Sequence, residues 1–179
     1  MYVSTSQLND NQIYIREAKG HDREKLREMF ARSSPETIYR RFHIPYSEVP
    51  EWMLSLMLGT NRLDKEVLVA VAEGKIIGHA MYVRLGDYAE AEMAIIVEDR
   101  WQSMGVGKSL LLELEQRAGL RNIGTFSAEV FGNNRPMLGL AAMFPGTDYT
   151  TGDGVYRLRM PLRAPVPAAV PPHTVRHAA

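Results

Sequence analysis

Cysteine is missing from all 179 residues of the chain. Its absence excludes a disulfide framework, a thiolate metal site and a cysteine nucleophile. An excess of either charge is missing too, because 21 lysine and arginine residues balance 21 aspartate and glutamate residues. This balance argues against a non-specific nucleic-acid binder, which needs a strong positive field.

Long apolar runs are also lacking. No window approaches the roughly 20 apolar residues that span a bilayer, and the first residues have no signal-peptide core. The histidines show no paired metal spacing, so we expect no metal site; they are His21, His43, His79, His173 and His177. We therefore expect a soluble, cytoplasmic monomer or homodimer without a membrane or nucleic-acid partner.

The composition that remains is typical of one globular domain, with 45% hydrophobic and 23% charged residues. We expect a flexible leader over residues 1–11, the folded domain over 12–162 and a Pro/Ala-rich flexible tail over 163–179. Residue patterns predict strands over 12–16, 66–72, 76–84, 89–97, 125–131 and 155–160, with a polar turn over 149–154. Capping and proline signals predict helices that begin near Asp22, Ser34, Glu51, Gly105 and Pro136.

The stretch over residues 90–112 combines a strand, a glycine-bearing turn and the start of a Leu-rich helix. Such a turn leaves backbone N–H groups unpaired at the positive end of the helix dipole, which favours phosphate. A P-loop would need glycine in place of Gln102, and a dinucleotide fingerprint would need glycine or alanine in place of Leu110. A pyrophosphate loop of the acyl-CoA kind fits the spacing.

Gln102, Gly105 and Gly107 follow the pattern Gln/Arg-x-x-Gly-x-Gly/Ala between a strand and a helix. In this motif and in the order of elements, residues 12–161 resemble the GNAT superfamily of acyl-CoA-dependent N-acyltransferases. Segments 34–42, 101–102 and 134–138 are similar to bacterial protein lysine acetyltransferases of the Pat type. The resemblance implies an α/β fold with helices around a mostly antiparallel sheet of six or seven strands, splayed between the fourth and fifth.

The resemblance also implies acetyl-CoA as the acyl donor. The N–H groups of residues 103–108 would hold the pyrophosphate, and the pantetheine arm would lie in the splayed gap against the backbone of Ile95 and Val97. Asn134 would contact this arm, or it would simply form a turn. The expected cofactor-binding residues are Ile95, Val97, Gln102, Ser103, Met104, Gly105, Val106, Gly107, Lys108, Ser109 and Asn134.

Two carboxylates, Glu90 and Glu92, fall on one face of the central strand, opposite Met93, Ile95 and Val97. Acyl transfer needs a neutral amine, so a general base is useful. Glu92 matches the strand glutamate of the family, and we expect it to act as the base. Glu90 as the base, or a solvated charge at the strand edge, are the alternatives.

Many GNAT enzymes carry a tyrosine acid seven residues after the asparagine, but here that position is Ala141. Tyr149, Tyr156 and Ser127 are weak substitutes, and His43 lies near the expected substrate side without a catalytic role. We expect a protein lysine as the acceptor amine. A small amine such as an antibiotic or polyamine is one alternative, and a non-catalytic acyl-CoA-binding module is another.

Overall fold

The computed structural model describes residues 13–59, 64–86 and 89–163. The expected leader and, apart from Arg163, the expected tail lie outside this range. Seven strands are described: β1 Tyr14–Glu17, β2 Lys65–Ala72, β3 Lys75–Arg84, β4 Glu90–Val97, β5 Thr125–Phe131, β6 Asp148–Gly152 and β7 Val155–Pro161. The described helices are α1 Arg23–Arg32, α2 Pro35–Phe42, α3 Glu51–Leu56, α4 Val106–Gly119 and α5 Arg135–Ala141.

The strands form one mixed sheet in the order β1-β2-β3-β4-β5-β7-β6. Strands β2, β3 and β4 pair antiparallel as a meander. The only parallel pair in this sheet is β4 with β5, and it matches just three positions, from Glu90 with Thr125 to Glu92 with Ser127. Beyond that point β4 continues to Val97 and β5 to Phe131 without pairing with each other, which confirms the predicted splay.

Each face of the sheet carries its own hydrophobic core. Helix α4 packs on β2 and β3 over one core, and α1, α2 and α3 cover the other. On β4, Met93, Ile95 and Val97 face the α4 side, whereas Ile96 faces the α1 side. The register between β3 and β4 is unbroken, so the predicted alternation of side chains on β4 is confirmed.

Helix α4 approaches β3 closely because position 78 is a glycine. A Cβ added at Gly78 would lie 3.0 Å from Leu110 Cδ1 and 3.4 Å from Val106 Cγ1. A methyl group added at position 78 would therefore require the side chains of Leu110 and Val106, in the first turns of α4, to shift by a few tenths of an ångström.

The prediction of a polar turn over residues 149–154 was wrong for 149–152, and only Asp153 and Gly154 form the turn. Residues 148–152 form β6, which pairs antiparallel with β7. All five residues of β6 are exposed, so the alternation of buried and exposed positions that indicates a strand is absent. Strand β6 is defined by its pairing with β7.

The expectation that the Asp22 side chain caps α1 was also wrong. Asp22 precedes α1, but its side chain makes no capping bond. Its carboxylate pairs with both terminal nitrogens of Arg16, at 2.6 and 2.7 Å, and accepts from the Lys19 N–H at 2.8 Å. By contrast, Ser34 caps α2 as predicted, since its Oγ accepts from the N–H of Thr37.

Candidate active site

The splayed ends of β4 and β5 form the two sides of a cleft with a volume of about 390 Å³. Helices α2 and α5 and the turn before α4 complete its walls. The cleft is lined by the expected residues Ile95, Val97, Gln102, Ser103, Gly105, Gly107, Lys108 and Asn134. Of the remaining expected residues, Met104 is exposed, Val106 is buried against β3, and Ser109 lies one turn into α4.

The turn before α4 presents a row of backbone donors. Ser103 and Gly105 have left-handed φ values of 60° and 85°, which bend the chain sharply into the helix. None of the N–H groups of residues 103–108 donates a hydrogen bond to another described residue, whereas the Ser109 N–H donates to the Gly105 carbonyl. The turn therefore offers an anion several unpaired donors at the positive end of α4.

Gly107 is not required by the packing of the protein itself. A Cβ at this position would meet Leu140 at 3.5 Å and Val97 at 3.7 Å, which are ordinary van der Waals contacts. Its φ is not in the left-handed range. Neither packing nor backbone conformation requires a glycine at this position. A glycine on the wall of a cleft is therefore best explained by a ligand that must approach the backbone closely.

A hydrogen-bond network, here called the Asp99 network, fixes this turn to α2. The Asp99 carboxylate accepts from the N–H and hydroxyl of Ser34, both at 2.7 Å, and from the Thr37 hydroxyl at 2.8 Å. The side-chain amide of Gln102 donates to the Thr37 hydroxyl and to the Val97 carbonyl. Gln102 therefore uses its amide nitrogen inside the protein, where it ties the end of β4 to α2.

Asn134 has two roles in the structure. Its Oδ1 accepts from the Met137 N–H at 3.3 Å and so caps α5. The same residue lines the cleft, and its Nδ2 makes no hydrogen bond within the described chain. The capping interpretation and the ligand-contact interpretation are therefore compatible.

A second groove begins where the first cleft ends. It is lined by Glu90, Glu92, Ser127, Ala128, Glu129, Asp148, Tyr149, Thr150, Arg157, Leu158 and Arg159. Ala128 and Glu129 line both cavities, so the two meet at the point where β4 and β5 part. Arg157 pairs with Glu129 and Arg159 pairs with Glu90, which leaves Glu92 and Asp148 as carboxylates without an ion pair to another described residue.

The two candidate bases differ in their surroundings. Glu90 is held by Arg159 at 2.7 Å, whereas Glu92 makes no hydrogen bond within the described residues. The side chain of Glu92 is exposed and is not buried among apolar neighbours. Glu92 is the last residue of β4 that pairs with β5, which places it beside the meeting of the cleft and the groove.

The residues considered as weak substitutes for a tyrosine acid lie at different places around the groove. Ser127 pairs with Glu92 across the two strands, and Tyr149 lines the groove but is 64% exposed. Tyr156 packs against Tyr149, and Ala141 is buried in α5. His43 packs on the ring of Phe131 at 4.2 Å.

Residues 24–144 match the model of the acetyltransferase (GNAT) family. The chain belongs to the GNAT acetyltransferase family. It is accordingly an acetyl-CoA-dependent N-acetyltransferase. No helix of the described GNAT domain is long and apolar enough to cross a membrane, and no cluster of metal ligands occurs in it.

Three relatives show how far the similarity extends. The GNAT domain of S. lividans PAT is 28% identical, with a TM-score of 0.82 over 89% of this chain and 97% of that chain. The L-amino acid N-acetyltransferase AaaT of Escherichia coli K12 is 26% identical over 72% of this chain and 78% of its own. PaiA N-acetyltransferase from Thermoplasma acidophilum, solved in complex with coenzyme A, shares the fold at 19% identity and a TM-score of 0.63, with 84% of this chain and 99% of that chain covered.

Sequence reasoning missed two arginines of this GNAT cleft, Arg40 and Arg41. Both lie in segment 34–42, for which the sequence predicts a helix and a similarity to Pat-type enzymes but no role for a particular arginine. Arg40 pairs with Glu36 at 2.5 Å, as the i, i+4 spacing allows. The available signal was the pair of adjacent cations on a helix that packs against the central strand.

The Asp99 network makes a prediction about stability and pH. Burial raises the pKa of Asp99, but the hydrogen bonds from Ser34 and Thr37 outweigh it and hold the pKa below the usual carboxyl range. We expect Asp99→Asn to lower the free energy of unfolding by about 1 kcal/mol at pH 7. Because the pKa is depressed in the folded state, this contribution is present above about pH 4 and is lost as pH falls through the folded pKa.

Urea unfolding of both proteins across this pH range measures the effect. Asp153→Asn, in the exposed turn between β6 and β7, is the control and should change stability by less than about 0.5 kcal/mol. A deficit of Asp99→Asn that stays the same below about pH 3 would contradict the role of the ionised carboxylate.

Proposed function

We propose that this enzyme acetylates the side-chain amine of lysine residues in proteins, with Glu92 as general base. The observation that carries the proposal is the meeting of two cavities at Ala128 and Glu129, where Glu92 lines the second: one is a cleft with unpaired backbone donors, and the other is an acidic groove. The sequence resemblance to Pat-type enzymes and the similarity to the S. lividans PAT domain support a protein lysine as acceptor.

The cofactor fits the cleft through the chain's own unpaired groups. The N–H groups of residues 103–108 would bind the pyrophosphate, with Gly105 and Gly107 allowing close approach. The unpaired edge of β4 around Ile95 and Val97, together with Asn134 Nδ2, would bind the pantetheine arm. Gln102 would act indirectly, by holding the turn in place.

Bound acetyl-CoA supplies the acetyl group as a reactive thioester. A lysine side chain has a reference pKa of about 10.4, so deprotonating it near pH 7 costs roughly 4–5 kcal/mol. The exposed Glu92 carboxylate would accept this proton directly or through one water. The acidic groove favours a cationic amine, since Glu92 and Asp148 have no ion-pair partner in the described structure. Ala141 offers no acid, so the thiolate would leave without a tyrosine proton.

Gly107→Ala tests the anion site. The added methyl group has room within the protein, but it would lie where the phosphates approach. We expect calorimetry to give an acetyl-CoA Kd at least about 10-fold higher, equal to 1.4 kcal/mol, with unchanged thermal stability. Gly139→Ala is the matched control, because position 139 is exposed and its Cβ would meet nothing within 4 Å. Absence of binding by the unaltered protein at millimolar acetyl-CoA would remove the proposed site.

Glu92→Gln tests the base. Removal of a general base is expected to lower kcat by about 10²–10⁴-fold, while the acetyl-CoA Kd from calorimetry stays the same. The comparison variant is Glu90→Gln, which removes a carboxylate two residues away that is already paired with Arg159. A large loss in Glu90→Gln with little loss in Glu92→Gln would assign the base to Glu90.

A small amine is the second candidate acceptor, favoured by the 26% identity to an L-amino acid N-acetyltransferase over most of that relative. Incubation with acetyl-CoA and a deacetylated proteome, followed by mass spectrometry, should reveal acetylated lysines. A parallel screen of free amino acids, polyamines and aminoglycosides measures thiol release. Turnover with small amines alone would assign the second candidate, and cofactor binding without any thiol release would indicate a non-catalytic binding module.

A further inference from the structure

Arg41 places a guanidinium on the cleft wall without an anionic partner. Its Nη2 contacts the sulfur of Met81 at 3.8 Å, and its Cζ lies 4.9 Å from the centre of the Phe42 ring. Its Nε is buried and makes no hydrogen bond in the described structure. No described carboxylate lies within ion-pair distance of Arg41, in contrast to the neighbouring Arg40, which pairs with Glu36.

The fold does not explain this charge. Burial lowers the pKa of Arg41 to about 10, and the Glu92 carboxylate offsets only part of that effect. An unpaired buried charge costs free energy, and apolar side chains of similar size are often neutral or stabilising in such positions. A planar guanidinium is well suited to bind a carboxylate through two parallel hydrogen bonds.

Arg41 lies on the Glu92 side of the cleft. Thr37, one helical turn earlier on α2, is tied to Gln102 at the anion-binding turn. Arg41 instead contacts Met81, whose partner on β4 is Ala94. Ala94 and Glu92 are two residues apart on the same face of β4, a spacing of roughly 7 Å. Arg41 therefore lies between the turn and the base.

We propose that Arg41 binds a carboxylate carried by the acceptor, so that the enzyme selects an amine with a carboxylate nearby. The inference rests on the proposed function, because it assigns the amine to Glu92 and the carboxylate to Arg41. Two sources share this chemistry: the α-carboxylate of a free amino acid, and an acidic side chain next to a lysine in a protein.

Matched acceptors test the inference. One pair is a free amino acid and its carboxamide, and the other is a lysine peptide with aspartate or asparagine beside the lysine. We expect the unaltered enzyme to prefer the carboxylate in one pair by about 10- to 100-fold in kcat/KM, and Arg41→Met to lose that preference through KM. The pair that shows the preference identifies the source.

Two further measurements separate this role from others. The thermal stability of Arg41→Met should be unchanged or higher, because a buried charge without a partner is removed. Its acetyl-CoA Kd should be unchanged, as should the acceptor preference of Lys75→Met, which removes an exposed charge from the first residue of β3.

Each contrary outcome has a definite meaning. A carboxylate preference that survives in Arg41→Met, or equal rates within both pairs for the unaltered enzyme, overturns the inference and leaves the proposed function standing. A weaker acetyl-CoA Kd in Arg41→Met also overturns it, because the arginine would then belong to the cofactor site. Failure to acetylate any acceptor would contradict the proposed function itself.

Discussion

The loss of pairing between β4 and β5 after Glu92 and Ser127 is the constraint on which the site depends. A strand edge without a partner exposes backbone donors and acceptors that are costly to bury unpaired. The gap is maintained because β5 finds other partners: it pairs with β7 along its length, and Phe131 at its end stacks on Tyr39 of α2 at 5.0 Å. The gap between β4 and β5 thus exposes polar backbone groups within an otherwise apolar part of the sheet.

Around this gap, different secondary-structure elements carry groups of opposite polarity. The turn before α4 offers backbone donors, and the Asp99 network fixes that turn to α2. The groove beside β5, β6 and β7 carries mostly carboxylates, and two of them are neutralised by arginines from β7. The anion-binding and amine-binding chemistries are therefore separated by the short paired segment that ends at Glu92.

The sequence allowed prediction of those features of the fold that depend on short-range residue patterns. The six strands with apolar side chains and the cap at Ser34 could be predicted because alternation and capping are short-range signals. Strand β6 could not, since all its side chains are exposed. The capping prediction for Asp22 failed because its carboxylate bonds to Arg16, which lies on β1 and is not part of the local helix pattern. The exposure of Glu92 and the isolation of Arg41 depend on how α2 packs over β4, which no local pattern contains.

Gly78 has a consequence for how cofactor affinity is set. The anion-binding turn is held to α2 by the Asp99 network, but it also leads directly into α4, so its position depends in part on where α4 begins. That position is determined by the contact distance between β3 and the first turns of α4, on the inner side of the helix and away from the cleft. A buried strand residue thus acts as a spacer for a surface turn, and small changes of volume beneath the helix would retune phosphate binding without altering any residue that faces the ligand.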